Sequence, residues 1–291
     1  MSTDLHIHTN LSDGRMSPTE VIETAIKVGL KNIAITDHDT TKALHILREL
    51  NLLNNPHLNI IQGIEFSADQ LSNEIHILGY GIDIDNRELQ AELANIVVGR
   101  KQRVRKMVEK LKALGFDISY EKVMESGKHA DSLSRSHIAN ALVAAGYFEK
   151  IGDVFAELLN RNGKGYVPHY KLSCDEIIRL IKVAGGIAVL AHPGLVGDDN
   201  LVLDCINRGI HGLEVFHPKH NQAEIGKYLK LAQENNLLIT GGSDYHAIPT
   251  RYPQQLGMFT LAEGYSEVFL QALKKASLTG GVYGSISVSR S

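Results

Sequence analysis

Thr3-Asp4-Leu5-His6-Ile7-His8, close to the start of the chain, alternates polar and apolar side chains as a β-strand does. That alternation puts His6 and His8 on one face and Leu5 and Ile7 on the other. Two imidazoles side by side at the C-terminal end of a strand offer a divalent cation part of a rigid coordination shell. Taken alone, the pair reads equally as two half-buried histidines.

The same arrangement recurs along the chain. Ser17-Pro18-Thr19-Glu20 opens a helix that runs to Gly29, with Ser17 as N-cap, Pro18 at its first position and Glu20 completing a capping box. Strands follow at Asn32–Thr36, Asn59–Phe66 and Glu74–Gly81, with a helix over Thr40–Leu53 between the first two. Later strands are read at Ile187–Ala191, Gly212–Phe216 and Leu237–Thr240. Repeated strand–helix units predict a mostly parallel sheet, open or closed into a barrel. Asp37 and His38 come just after the second strand, Glu65 ends the third, His76 lies in the next, His192 follows another, and Asp244 and His246 follow the last. Ligand-type residues at successive strand ends converge on one mouth of a parallel barrel.

The middle differs. Arg87–Leu114 is one long helical pattern, with further helices over Ser134–Ala145 and Asp153–Asn160 and no core strand between residues 100 and 165. The expected organisation is a barrel from 1–99 and 166–291 carrying a helical cap over 100–165. The Gly/Ser-rich tail after about Ser277 is expected to be loosely ordered.

Composition narrows the class. The 291 residues are 43% hydrophobic and 22% charged, enough for a full core and too apolar for a disordered chain. A net charge of −3 supplies no global basic field, so a polyanion must be held locally. Cys174 and Cys205 form no paired zinc motif, which suits a reducing, cytoplasmic compartment. No secretory signal or transmembrane run is read, so neither membrane nor stable protein partner is expected.

Asp4-Leu5-His6-Ile7-His8-Thr9, Ser12-Asp13-Gly14, Thr36-Asp37-His38-Asp39, Gly63-Ile64-Glu65, Glu74-Ile75-His76, Ala191-His192-Pro193 and Gly242-Ser243-Asp244-Tyr245-His246 together resemble the PHP (polymerase and histidinol phosphatase) family. The helical insertion and Asn162-Gly163-Lys164-Gly165-Tyr166-Val167-Pro168 are similar to its bacterial stand-alone branch, which acts on nucleotides and short 5′-phosphorylated RNA. The resemblance implies a distorted (β/α)7 barrel and three divalent cations, manganese first, iron or zinc otherwise. It implies one cation on His6, His8, Glu65 and Asp244; a second bridged by Glu65 and completed by His76 and His192; a third on Asp13, His38 and His246. Asp13 stands where other branches have histidine, which favours a harder cation there.

Glu65 can give one oxygen to each of two cations, and a water between them would be activated for attack on phosphorus. Asp4, Asp37 and Asp39 are candidates to orient ligand histidines, or else ordinary cap and surface carboxylates. Ser134 and Arg135, at the start of an insertion helix, and Lys164, between glycines, are candidates to hold substrate phosphate. His217 and His220 are read either as proton donors to the leaving oxygen or as structural histidines. Arg100, Lys101, Arg103, Arg105 and Lys106 put five cations in seven helical residues and read as a solvated surface.

The expected substrates are nucleotide 3′,5′-bisphosphates and short 5′-phosphorylated RNA, degraded from the 5′ end. The rivals are a phosphomonoesterase on a small metabolite such as histidinol phosphate, and a non-catalytic, metal-stabilised module. C–N hydrolysis in a related barrel lacks an obvious carboxylated lysine.

Overall fold

The computed structural model describes residues 2–70, 73–168 and 172–278. His169 and the tail beyond Leu278 lie outside the described residues. Seven strands stand side by side in chain order: β1 (Thr3–Ile7), β2 (Asn32–Ile35), β3 (Asn59–Gln70), β4 (Asn73–Tyr80), β5 (Ile187–Leu190), β6 (Gly212–Phe216) and β7 (Leu238–Gly241). The sheet nearly closes. Tyr245, just past β7, donates its N–H to the His6 carbonyl (3.3 Å) and accepts the His8 N–H (2.9 Å).

The mostly parallel expectation holds except at β4, which is antiparallel to both β3 and β5. Only two residues separate β3 from β4, too few for the crossover that parallel strands require. His76 therefore reaches the mouth from the first half of its strand, paired with Ser67, and not from a C-terminal end.

The helices are α1 (Pro18–Lys27), α2 (Lys42–Glu49), α3 (Arg87–Ala113), α4 (Tyr120–Ser126), α5 (Arg135–Ala144), α6 (Ile151–Val154), α7 (Cys174–Val183), α8 (Asp199–Asn207), α9 (Gln222–Glu234) and α10 (Glu263–Leu278), of which α4–α6 stand apart from the barrel. The α1 capping box forms as its sequence predicts, Glu20 N–H to Ser17 Oγ at 3.3 Å and Ser17 N–H to Glu20 Oε2 at 2.7 Å. Ile33, Ile35, Ile77 and Leu190 pack outward against these helices. The alternate residues Ala34, Leu78, Tyr80 and Val189 fill the barrel floor against Phe269 of α10. Leu5 and Ile7 fall in different clusters, because the β1 register shifts between Asp4 and Ile7 and interrupts strict alternation.

The cap has its own apolar cluster, formed by α4, α5, α6, a π-helical turn at Phe155–Leu159 and the second half of α3. Leu89, Leu93 and Ile96 at the start of α3 belong to the barrel cluster, Val104, Met107 and Val108 to the cap cluster. An expected boundary at residue 99/100 thus falls inside one continuous helix. Its cations also depart from a solvated surface. Arg105 and Lys106 are exposed, but Arg100 and Arg103 are only 4% and 7% exposed, because the α3 stripe between the two cores faces protein. Among the described residues no helix is long and apolar enough to cross a membrane.

Candidate metal centre

Glu65 lies at the middle of the mouth, 1% exposed. Its two oxygens face different partners. Oε1 lies 2.8 Å from His76 Nδ1 and 3.1 Å from His192 Nε2. Oε2 lies 3.0 Å from His38 Nδ1, 3.2 Å from His8 Nε2 and 3.3 Å from His6 Nε2. Asp244 Oδ1 is 3.3 Å from His8 Nε2 and 3.4 Å from His246 Nδ1. Asp13 Oδ1 is 3.1 Å from His246 Nε2 and 3.7 Å from His38 Nε2. All nine barrel residues singled out in the sequence converge here. Three overlapping groups result: His8, Asp13, His38 and His246; His6, His8 and Asp244; His38, Glu65 and His76. His8 sits with the Asp13 group as well as with His6, and His38 with Glu65, so the sets share members more than the resemblance implies.

The donors fit divalent cations. Ligand atoms at about 2.0–2.2 Å from one tetrahedral ion are separated by about 3.3 Å, the spacing seen between these groups. Asp13 Oδ1, Glu65 Oε2 and His38 Nδ1 are buried without a hydrogen-bond partner. An atom left so would cost about 1–3 kcal/mol each, unless a cation takes its lone pair.

The electrostatics point the same way. Burial pushes His38 down to about 3 and His192 to about 4, which leaves both neutral, the form in which an imidazole can accept a cation. Burial works against ionisation of Glu65, Asp13 and Asp244, yet neighbouring imidazoles, and Arg251 beside Asp244, hold all three well below the carboxylate range. Burial also disfavours charge on His6 and His8, but Glu214, Glu65 and Asp244 raise His6 well above its ordinary value. The carboxylates of Asp244 and Glu65, 3.3 and 3.2 Å from its Nε2, raise His8 to about 9. The carboxylates create a demand for positive charge that protons meet on these two rings and cations would meet better.

Backbone detail sets the ligands in place. A Cβ on Gly242 would lie 2.4 Å from His6 Cβ, so only glycine lets the loop carrying Asp244 lie against β1. Asp39, His192 and Asp244 hold left-handed φ values of 51°, 28° and 50°. Such strain clusters where the surrounding structure over-determines a site.

Asp4, Asp37 and Asp39 do not orient ligand rings; they fix the loops that carry ligands. Asp4 Oδ1 accepts the Ser243 N–H at 2.9 Å. Asp37 accepts from Thr9 N–H (2.7 Å), Thr9 Oγ1 (2.6 Å) and Ser12 Oγ (2.6 Å), pinning the turn before Asp13. Asp39 accepts the Ser67 N–H at 3.0 Å and pairs with Arg100. The carboxylate that does orient a ligand ring is Glu214, absent from the sequence reading. Its Oε1 lies 2.9 Å from His6 Nδ1, and its Oε2 accepts the His192 N–H at 2.9 Å. Its signal was available: a lone glutamate inside the apolar run Leu213–Phe216 needs a buried partner.

Neither His217 nor His220 lines the cleft. His220 uses both ring nitrogens, Nδ1 donating to Val215 carbonyl (2.8 Å) and Nε2 accepting the Gly194 N–H (3.1 Å). His217 is buried behind Asp244, with Nε2 at 3.4 Å from Oδ2.

A cleft of about 200 Å³ rises from the cluster between barrel and cap. On the cap side Ser134 caps α5, accepting the Ser136 N–H at 3.2 Å. Arg135 donates to the Leu159 carbonyl (3.1 Å) and lies 5.5 Å from the Phe155 ring centre. Ser136 Oγ donates to Asp13 Oδ2 at 3.1 Å, tying this helix start to the candidate cation ligands. Lys164 is exposed and does not line the cleft, because its loop folds against α3 and the π-helical turn. Arg135 lines it, as do Arg100 and Arg103 of α3 and two cations absent from the sequence reading, Lys219 and Arg251. Arg251 pairs with Asp244, and Lys219, exposed as a residue but with its ammonium partly desolvated at the cleft, is drawn below the ordinary lysine value by that desolvation and then by Arg251.

A family model described as PHP domain matches residues 4–240. A phosphoribosyl 1,2-cyclic phosphate 1,2-diphosphodiesterase of Eggerthella lenta is 31% identical over 87% of this chain and 97% of its own. A 3′,5′-nucleoside bisphosphate phosphatase of Chromobacterium violaceum is 34% identical over 84% of this chain and 87% of its own. The 5′-3′ exoribonuclease Rnm of Escherichia coli is 34% identical over 84% of both chains.

Proposed function

This chain belongs to the PHP family, and on that premise we propose that it is a metal-dependent phosphoesterase acting on nucleotide 3′,5′-bisphosphates and on short RNA from a 5′-phosphorylated end. One observation carries the reading: the ligand cluster and the Ser134–Arg135–Ser136 helix start line the same cleft. A substrate with two phosphates can present one to each.

Three divalent cations would be held by His6, His8, Asp13, His38, Glu65, His76, His192, Asp244 and His246. Imidazole mixed with carboxylate suits manganese, iron or zinc better than magnesium. Such cations, if bound there, would supply charge to neutralise phosphoryl oxygens and Lewis acidity to make water nucleophilic at neutral pH. The chain's own groups do the rest. Arg135 and the N-terminus of α5 hold the phosphate that is not cleaved, fixing register. Ionised Glu65, Asp13 and Asp244 keep the mouth negative until cations enter. Lys219, with a lowered pKa and a place in the cleft, hands its Nζ proton to the departing ester oxygen.

A phosphoribosyl cyclic phosphate would also bring two phosphates, but no base. Half-buried Phe155 and exposed Leu195 put apolar surface into an otherwise charged cleft, which favours a substrate with a base to cover it.

The test is manganese-loaded protein on a short RNA bearing a 5′-phosphate or a 5′-hydroxyl. Mononucleotides should appear stepwise from the 5′-phosphorylated strand alone. Arg135→Ala should raise KM for that strand about ten- to hundredfold, the loss of a hydrogen bond to a charged group, and raise it far less for an aryl phosphate. Release of inorganic phosphate from intact RNA, or an equal Arg135→Ala effect on both substrates, would overturn the reading.

A further inference from the structure

We propose that Arg100 is a positioning residue that sets the α5 phosphate wall against the cation-ligand cluster, and so decides whether a two-phosphate substrate reaches both. The proposal rests on the reading of Arg135 as a phosphate anchor.

Arg100 occupies the seam of α3, between Ile96 in the barrel cluster and Val104 in the cap cluster. Its guanidinium faces both bodies. Nε donates to Asp39 Oδ2 at 2.8 Å, and Nη2 pairs with the same oxygen. Nη2 also donates to Ser67 Oγ at 3.1 Å. Nη1 donates to the Leu133 carbonyl at 3.0 Å.

Each end of that bridge is one residue from function. Asp39 follows His38, and its N–H donates to the Glu65 carbonyl at 3.0 Å. Leu133 precedes Ser134 and Arg135. One planar fork, with four of its N–H bonds made to protein at 4% exposure, therefore joins ligand backbone and phosphate wall, alongside the direct Ser136–Asp13 bond. A planar five-donor group can hold such a geometry where an ammonium cannot.

Stability is a weak reason for such a pair. Burying Arg100 against Asp39, itself 1% exposed, incurs a desolvation penalty that the attraction roughly cancels. Cap and barrel are also joined elsewhere: Asp131 N–H to Leu11 carbonyl (2.8 Å), Thr40 Oγ1 to Asp131 (3.2 Å) and Ser136 to Asp13 (3.1 Å). These keep the cap attached without Arg100. What the fork adds is register, and a displacement of about 1 Å can cost about a hundredfold in rate.

The experiment is a double-mutant cycle of Arg100→Lys and Arg135→Ala in the manganese-loaded protein. KM and kcat are read on a nucleoside 3′,5′-bisphosphate and on an aryl phosphate, with metal content and Tm. Arg100→Lys should raise bisphosphate KM about tenfold. It should leave aryl phosphate kcat within about twofold and metal content unchanged. In the Arg135→Ala background the same change should add less than about threefold, since both act through one contact. Multiplicative effects, an equal loss on the aryl substrate, or no effect at all would overturn the proposal. A silent Arg135→Ala would instead bring down the phosphate-anchor reading and this inference with it. Should Arg100→Lys fail to fold, Asp39→Asn, which keeps the acceptor for Ser67, carries the same cycle.

Discussion

The barrel mouth and the cap wall face each other across one cleft, yet they are built by different rules. At the mouth, backbone position decides: His6, His8, His38, Glu65 and His192 sit on strands or just past them, and a strand dictates which way each side chain points. On the wall, packing decides. Arg100, Arg103 and Arg135 lie on helices whose inward faces are set only once α3 is laid against two separate cores. A mouth of this kind tolerates little change in the ligands. A wall tolerates change but loses selectivity.

Glu65→Gln should have the largest effect and tests the mouth. Turnover on every substrate should fall by at least about a thousandfold, about 4 kcal/mol in the barrier. Metal content should drop while circular dichroism stays native. Retention of wild-type rates would mean that the cluster is not the reaction centre.

Lys219→Met, between mouth and wall, should have a middle effect that depends on leaving group. Because the lowered lysine acts in its protonated form, the wild-type rate on nucleotides should fall as pH rises through that pKa. The variant should be slower and lack this alkaline limb. On an aryl phosphate, whose leaving group needs no proton, both proteins should match. An unchanged limb would assign the proton to another group.

Lys164→Ala should have the smallest effect. Exposed and outside the cleft lining, it should change KM on 5′-phosphorylated RNA less than about twofold, as surface substitutions within about 0.5 kcal/mol do. A larger change would show that its loop reaches the substrate, and that the wall extends beyond the lining residues described here.

Legibility followed the same division. The capping box of α1, the strands and the converging ligand residues were readable because local periodicity and strand ends carry them. The mostly parallel pattern does not itself give the direction of β4, which follows from the two-residue link to β3, too short for a parallel crossover. For His220 the sequence leaves proton donor and structural histidine equally open, and the Val215 carbonyl and Gly194 N–H on its two nitrogens decide for the second. Glu214 was passed over because a single glutamate has no period to draw notice.

By itself the sequence determined the residue types at each strand end, and so the ligand-rich mouth, since side-chain direction along a strand follows from chain geometry alone. Only the tertiary structure decided which oxygen of Glu65 faces which histidines, which arginines of α3 turn inward, and that Ser136 reaches Asp13. Those relations join residues far apart in the chain, such as Arg100 with Asp39 and His6 with Glu214. Their distances are set by how two apolar cores settle along one helix.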